Sequence, residues 1–386
     1  MRKYLEEIMT VKRLCLVKGG NQMKKNICFV DYDFSVMGGV EKVLKDLAEN
    51  LSTEYSVHII SICSKGKDIY YDINNKNIEY HAICEGFPRI REAVTKSFSP
   101  LRSYIKKNSI DIVFIMGYYP IPILMPIKPF VKTKFIFCDH GSIENQLGDR
   151  KAVTFRKLAA KFCDKVVTLT QRNLDAYEKL FKTKSKKLEC IYNAIDEEIF
   201  DYVADEYDIK SKKIITAGRF TAEKGFDMLV DVANIVLNKH TDWTWDLYGD
   251  GEEFESIKNR VNQLGLSDRL ILKGRSNEIY KKYKDYSIYV LPSYREGLPL
   301  VLLEAKANHL PIVAFDVLTG PREIVSDKEN GFLIPCYDKE LMAEKICCLI
   351  ENEELRESFS NRSYDNIDLF KKDSIMRKWV KIIENV

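Results

Sequence analysis

Two cationic side chains stand five residues apart in Ala217-Gly218-Arg219-Phe220-Thr221-Ala222-Glu223-Lys224-Gly225, and two carboxylates, Glu296 and Glu304, stand eight apart in Ser293-Tyr294-Arg295-Glu296-Gly297-Leu298-Pro299-Leu300-Val301-Leu302-Leu303-Glu304. The cations follow Lys213–Ala217, an apolar run that reads as a strand. They therefore fall at the carboxyl edge of a parallel sheet, where open α/β sheets bind ligands. Two permanent positive charges at such an edge suit a diphosphate, which they bind and whose charge they neutralise as it leaves. An exposed basic loop is the alternative. Pro299 suits the first position of a helix, which puts Glu296 in the preceding loop and Glu304 about a turn and a half inside. The loop carboxylate can accept hydrogen bonds from sugar hydroxyls and the helical one a bidentate pair from a ribose, with the helix N-terminus facing the diphosphate. Two solvated glutamates would not need the apolar company of Glu304, which is Leu302, Leu303 and Ala305.

A weaker signal is Met37-Gly38-Gly39-Val40-Glu41, between a predicted strand and its helix. Gly38 and Gly39 would let the backbone approach a phosphate or sugar at a helix N-terminus. A tight connection explains them equally well. The spacing is not Gly-x-Gly-x-x-Gly, so a dinucleotide fingerprint is absent.

These residues need elements to hold them. Predicted strands Asn26–Asp31, Val57–Ile62, Ile110–Met116, Lys134–Asp139 and Lys165–Leu169 alternate with helices such as Gly39–Leu51, whose Val40, Val43, Leu44, Leu47 and Leu51 share a face. The pattern restarts with Lys213–Ala217, Thr244–Gly249, Leu270–Lys273, Ser287–Leu291 and Pro311–Phe315. Short apolar strands between helices argue parallel sheets covered on both faces. The expected architecture is α/β, with two doubly wound domains, 23–195 and 196–365, facing each other across a cleft. An amphipathic helix within 366–386, carrying Ile375, Met376, Trp379, Ile382 and Ile383 on one face, would cross back onto the first domain. Residues 1–22 read as a loose or mis-assigned extension ahead of Met23.

A length of 386 residues suits two domains, and 45% apolar with 30% charged residues is the balance of a globular chain. The longest uncharged stretch, Ile112–Ile127, is broken by Pro120, Pro122 and Pro126 and is too short to span a bilayer. Its second half, Tyr118–Ile127, could present tyrosine and aliphatic side chains to a lipid surface, or lie in the domain core. Ten cysteines without a Cys-x-x-Cys pair point to a reducing compartment with no disulfide frame and no zinc. Residues 91–190 hold 20 Lys/Arg against 9 Asp/Glu in a chain of net charge +3. This is either a solvated lysine-rich surface or a face that meets an anionic membrane leaflet or acidic acceptor. Nucleic acid is not expected, because no stacking or groove-reading motif accompanies the charge.

The series Gly-Gly-Val-Glu, Tyr192-Asn193-Ala194-Ile195-Asp196, Gly218-Arg219-Phe220 with Glu223-Lys224-Gly225-Phe226, Tyr248-Gly249-Asp250-Gly251, Glu296 with Glu304, and Asn330-Gly331-Phe332 resembles, in that order, glycosyltransferase family 4, the large retaining GT-B family. The likeness runs over nearly the whole chain from about Met23. It implies transfer of a hexose or N-acetylhexosamine from a nucleotide-sugar, UDP by analogy, to a glycan or lipid-linked acceptor in surface polysaccharide or glycolipid synthesis. Arg219 and Lys224 would bind the diphosphate, Glu296 the donor sugar and Glu304 the ribose. Gly297, Leu298, Pro299 and Leu300 would line the donor. The loop Asp316–Ile324 resembles bacterial polysaccharide and lipid-linked oligosaccharide members, with Thr319 and Gly320 close to the diphosphate. Arg275 would border the base, or be a surface arginine. His140 would contact the sugar or departing phosphate with a neutral imidazole, or be structural. Asp31-Tyr32-Asp33 has the form of the metal motif of the other main fold, GT-A, but precedes the Gly-Gly loop and reads as a polar loop. No metal and no cofactor beyond the donor co-substrate are expected, with front-face displacement as the chemistry. A cytoplasmic enzyme with peripheral contact at the inner membrane face follows. The competing readings are an epimerase acting on UDP-N-acetylhexosamine and a non-catalytic subunit of a transferase complex.

Overall fold

The computed structural model describes residues 24–36, 38–64, 73, 77–86, 90–204 and 207–386. The expected extension 1–22 and Met37 lie outside them. Two sheets organise the described chain. The first holds β1 (Asn26–Asp31), β2 (Ser56–Ser64), β3 (Ile78–Glu85), β4 (Ile112–Met116), β5 (Lys134–Asp139), β6 (Lys165–Thr168) and β7 (Leu188–Cys190) in the order β3-β2-β1-β4-β5-β6-β7. The second holds β8 (Lys213–Ala217), β9 (Thr244–Tyr248), β10 (Leu270–Gly274), β11 (Ile288–Leu291), β12 (Ile312–Phe315) and β13 (Gly331–Ile334) in the order β10-β9-β8-β11-β12-β13. Pairings are parallel, for example Lys213↔Thr244 and Ile312↔Gly331. Both orders reverse direction beside the first strand of the sheet, the doubly wound arrangement expected from alternating strands and helices.

The chain divides into two compact units, one running to Phe114 with Pro126–Lys134, the other Ile115–Met125 with Phe135–Val386. In the first unit, α1 (Gly39–Leu51) buries Leu44, Leu47, Ala48 and Leu51, while Val40 and Val43 are half-buried. Phe29 and Phe114 stack at 5.0 Å. A longer helix, α2 (Ile90–Lys107), leaves Arg91, Lys96, Lys106 and Lys107 exposed. Phe130, half exposed, stands edge-on to Phe98 at 6.0 Å with the Arg102 guanidinium 5.1 Å from its ring.

In the second unit, neighbouring residues of one strand feed opposite faces. Ile214 joins the cluster under α3 (Phe226–Lys239) and the later helix Lys339–Glu351, whereas Ile215 joins that of Tyr289, Leu302 and Leu303. That is the period of two expected of a strand buried on both sides. The last helix buries Ile375, Trp379, Ile382 and Ile383, with Met376 half-buried. Its Lys378 lies 5.4 Å from the ring of Tyr192, which follows β7, so the helix rests beside the end of the first sheet. In the run Tyr118–Ile127, weighed above as a lipid-facing or a core segment, Ile121, Ile123, Leu124 and Ile127 are fully buried and Tyr118 lies under the Arg156 guanidinium at 4.7 Å, while Tyr119 stays 44% exposed. The nine described cysteines are free, and none of the described helices is long and apolar enough to cross a membrane.

One buried charge has a measurable consequence. Lys306 is 2% exposed and donates to the Ser363 carbonyl at 2.6 Å. Burial pushes its pKa down from 10.5 to about 8, against the pull of Asp365. Between about pH 8 and 10.5 the unfolded chain therefore holds a proton that the folded chain has released, so this group adds stability as pH rises through that range and withdraws it as pH falls through it. Comparing wild type with Lys306→Met in urea melts at both ends of that window, the wild type should gain about 2 kcal/mol on the variant at the alkaline end. A constant difference would mean that Lys306 does not titrate in this range.

Candidate active site

The second sheet's carboxyl edge is assembled by loops pressed onto one another. Gly218 donates its amide to the Tyr248 carbonyl at 3.0 Å, and Phe220 to that of Asp250 at 2.9 Å. Gly249, at φ +138, brings its backbone so close that a Cβ there would lie 1.8 Å from the Gly218 carbonyl oxygen. The next turn, Ala222–Lys224, ends in Gly225 at φ +68, where a Cβ would lie 2.1 Å from the Pro292 carbonyl. Only glycine combines that conformation with that proximity. Tyr294 in turn donates to the Glu223 carbonyl at 2.8 Å. The turn after β8 is thereby clamped onto the loop after β11, and the clamp delivers Lys224 Nζ to within 2.7 Å of Glu296 Oε1.

Glu296 is 9% exposed, so its carboxylate depends on this partner. Its backbone carbonyl is held twice: by Asn145 Nδ2 at 3.2 Å and by Thr319 Oγ1 at 2.5 Å. Gly320 adopts φ +100, with a hypothetical Cβ 2.6 Å from Pro299 Cδ and 2.7 Å from the Gly297 carbonyl. The close approach that Gly320 permits is therefore to the Glu296–Pro299 segment. Gly297 itself lies against the His140 carbonyl, 3.1 Å from where its Cβ would be. Leu298 is buried and Leu300 half-buried. Pro299 caps α4 (Leu300–Ala307) from outside, so the helix starts one residue later than expected, because ψ 108 leaves Pro299 extended. Glu304 projects from α4, and its Oε2 accepts a hydrogen bond from the Tyr283 hydroxyl at 2.6 Å.

His140 leaves β5 on a rigid base. Asp139, 1% exposed, accepts from Arg156 Nε at 2.7 Å and Nη2 at 3.1 Å, from Tyr177 at 2.8 Å and from the Gly141 amide at 3.2 Å. Nε2 of His140 is buried without a hydrogen-bond partner. Burial lowers its pKa to about 4 despite the Asp139 charge, so the imidazole is neutral at physiological pH.

The remaining expected residues lie outside this clamp. Arg219 is exposed beside the clamp. Arg275 is exposed beyond β10, the edge strand two removed from β8. Gly38 and Gly39, in the other unit, open α1. A Cβ at Gly38 would lie 2.1 Å from Glu41 Oε2, so the glycine makes room for a carboxylate of its own helix. Gly39 is open. Asp31 and Asp33, expected in a polar loop, are both buried, and Asp31 ends β1. Burial, then the Glu41 charge, raises the Asp31 pKa to about 8. Among the described residues no group of three His, Cys, Asp or Glu side chains could hold a metal ion. Sequence reasoning missed Asn145 and Tyr283, which carry no motif of their own.

Two family models cover the chain, "Glycosyltransferase Family 4" over residues 37–199 and "Glycosyl transferases group 1" over residues 203–366. The amylovoran biosynthesis glycosyltransferase AmsD of Erwinia amylovora is 30% identical over 94% of this chain and all of its own length. The chain belongs to glycosyltransferase family 4. An alpha-1,4-N-acetyl-D-galactosaminyltransferase of Campylobacter jejuni, whose name carries a PP-undecaprenol-linked glycan, is 25% identical over 90% of this chain and 96% of its own. Among solved structures, Anabaena Alr3699/HepE in complex with UDP and glucose matches with TM-score 0.77 and 17% identity over 93% of this chain and 99% of that one. The glycosyltransferase has the GT-B fold of such neighbours, two Rossmann-like domains each built on a parallel sheet.

The clamp makes a prediction about stability as distinct from activity. Lys224→Met leaves the buried Glu296 carboxylate unpaired and should cost about 2–3 kcal/mol in urea denaturation, less than a fully buried pair because Lys224 keeps some water. Adding Glu296→Leu should restore most of that stability and none of the transfer activity. A single variant as stable as wild type would mean that the buried Glu296 carboxylate does not depend on Lys224.

Proposed function

We propose that this glycosyltransferase moves a hexose or N-acetylhexosamine from a nucleotide-sugar, preferentially a UDP-sugar, to a glycan or lipid-linked acceptor in bacterial surface polysaccharide or glycolipid synthesis, with retention of anomeric configuration and without a metal. The observation that carries the reading is the Lys224–Glu296 pair at 2.7 Å, which puts a permanent cation and a carboxylate together at one sheet edge. Lys224 with exposed Arg219 would bind the diphosphate and meet the charge growing on it as the bond to the sugar breaks. Glu296 would accept hydrogen bonds from sugar hydroxyls, and the neutral His140 would donate one to the sugar or the departing phosphate. Glu304 would bind the ribose. The bond from the anomeric carbon to the diphosphate oxygen breaks as the acceptor oxygen bonds to that carbon on the same face, and the acceptor's proton passes to the diphosphate. The UDP and glucose named for the Anabaena neighbour support the donor, and the PP-undecaprenol named for the Campylobacter relative supports a lipid-linked acceptor.

Thermal stabilisation by a panel of UDP-, GDP- and ADP-sugars tests the donor. Glu304→Ala should then weaken the stabilising nucleotide about 30-fold, the value of one charged hydrogen bond of about 2 kcal/mol. Unchanged affinity would remove the ribose assignment. Transfer should proceed equally in EDTA and in magnesium, with the product in the donor's anomeric form by NMR. A strict metal requirement would sink the metal-independent mechanism.

Peripheral membrane contact rests on Arg91, Lys96, Lys106 and Lys107, exposed along α2 of the first unit, and on half-exposed Phe130, which packs against Phe98 of the same helix. Each basic residue near an anionic leaflet contributes about 1 kcal/mol, and the attraction decays within a Debye length. Co-sedimentation with anionic vesicles should be clear at low salt and fall steeply as salt is raised. Protein remaining in the supernatant at low salt would refute membrane contact.

A further inference from the structure

The carboxylate assigned above to the ribose is already engaged from inside the protein. Tyr283, wholly buried, donates its hydroxyl to Glu304 Oε2 at 2.6 Å. The tyrosine sits in a short turn, Tyr283–Asp285, that leads into β11. Its ring lies 6.1 Å from that of Tyr289 and packs in one cluster with Leu302, Leu303 and Ala305 of the helix that carries Glu304. A ring packed in this way leaves its hydroxyl one position, because its two torsions are set by the surrounding core. A glutamate on a helix has three torsions, and ordering them on ligand arrival costs free energy. A carboxylate has about four acceptor sites, so accepting from a tyrosine leaves capacity for a ligand's hydroxyls.

We propose that Tyr283 is a positioning residue, which fixes the Glu304 carboxylate in its ligand-accepting orientation before the nucleotide arrives. Nucleotide affinity then depends on a hydroxyl that never touches the nucleotide. The same hydrogen bond favours the ionised carboxylate, so its loss raises the pH at which the carboxylate takes up a proton. The inference rests on the ribose assignment of Glu304.

The test titrates UDP, GDP and ADP into wild type and carries the tightest binder through Tyr283→Phe, Glu304→Ala and the double variant across a range of pH. Tyr283→Phe should bind about fivefold more weakly, with the acid limb of its binding profile at higher pH and kcat at saturating donor little changed. The double variant should bind no more weakly than Glu304→Ala. If Tyr283→Phe binds as wild type does while Glu304→Ala is weak, the positioning role is overturned and the ribose assignment stands. Additive losses in the double variant also overturn it, since Tyr283 would then act by another route. If Glu304→Ala binds as wild type does, or if none of the three nucleotides binds, the functional reading itself falls. Should Tyr283→Phe fail to fold, 3-fluorotyrosine at this position provides a stronger donor of the same shape. It should keep affinity at or above wild type and move the acid limb to lower pH, and an unmoved limb would overturn the proposal.

Discussion

Backbone approaches that admit no Cβ are the constraint on which the candidate site depends. At Gly225, Gly249 and Gly320 a methyl group would fall within 2.7 Å of a neighbouring carbonyl or ring carbon, and all three adopt positive φ. Each closes a different gap: between the ends of β8 and β9, between the Lys224 turn and the loop leaving β11, and between the Thr319 loop and Pro299. Polar side chains then act across distances fixed by main chain, so the ion pair of Lys224 and Glu296 follows from the clamp and does not create it. Conformational freedom has been removed where a ligand would otherwise have to remove it.

A second level of order lies beneath His140. The Asp139 carboxylate collects a guanidinium, a phenol and a backbone amide, all in a buried setting. A buried charge with this many partners is stable only when its geometry is kept, so the loop after β5 has little room to shift. The orphaned imidazole nitrogen above it is the opposite case, a polar group left unsatisfied on a rigid support. Sites that bind ligands often keep such groups, because the ligand supplies the missing partner.

Much of this was readable in one dimension. Strands such as Asn26–Asp31, Lys134–Asp139 and Lys213–Ala217 were legible because a parallel strand covered on both faces is a short apolar run. Ile78–Glu85 was not, since this edge strand exposes Glu79, His81 and Glu85 and lacks the continuous apolar pattern. Leu188–Cys190 is too short to carry a period, and Gly331–Ile334 opens on a glycine. Lys224, Glu296 and Glu304 stand out in the sequence because their spacing is local. Asn145 was invisible, as it meets Glu296 across 151 positions. Tyr283 was equally hidden among other tyrosines. Tyr118–Ile127 shows the limit of composition: apolar residues with prolines describe a surface loop or a core turn equally well, and only the structure separates the buried Ile121, Ile123, Leu124 and Ile127 from the exposed Tyr119.

The backbone oxygen of Glu296 accepts from Asn145 and Thr319, which lie on separate loops and also meet each other at 3.4 Å. Three segments thus converge on a single atom, and losing either side chain leaves the other in place. Such doubling buffers the segment against change in one loop at a time. The Thr319 loop or the turn around Asn145 can therefore be exchanged singly while Glu296 keeps its place.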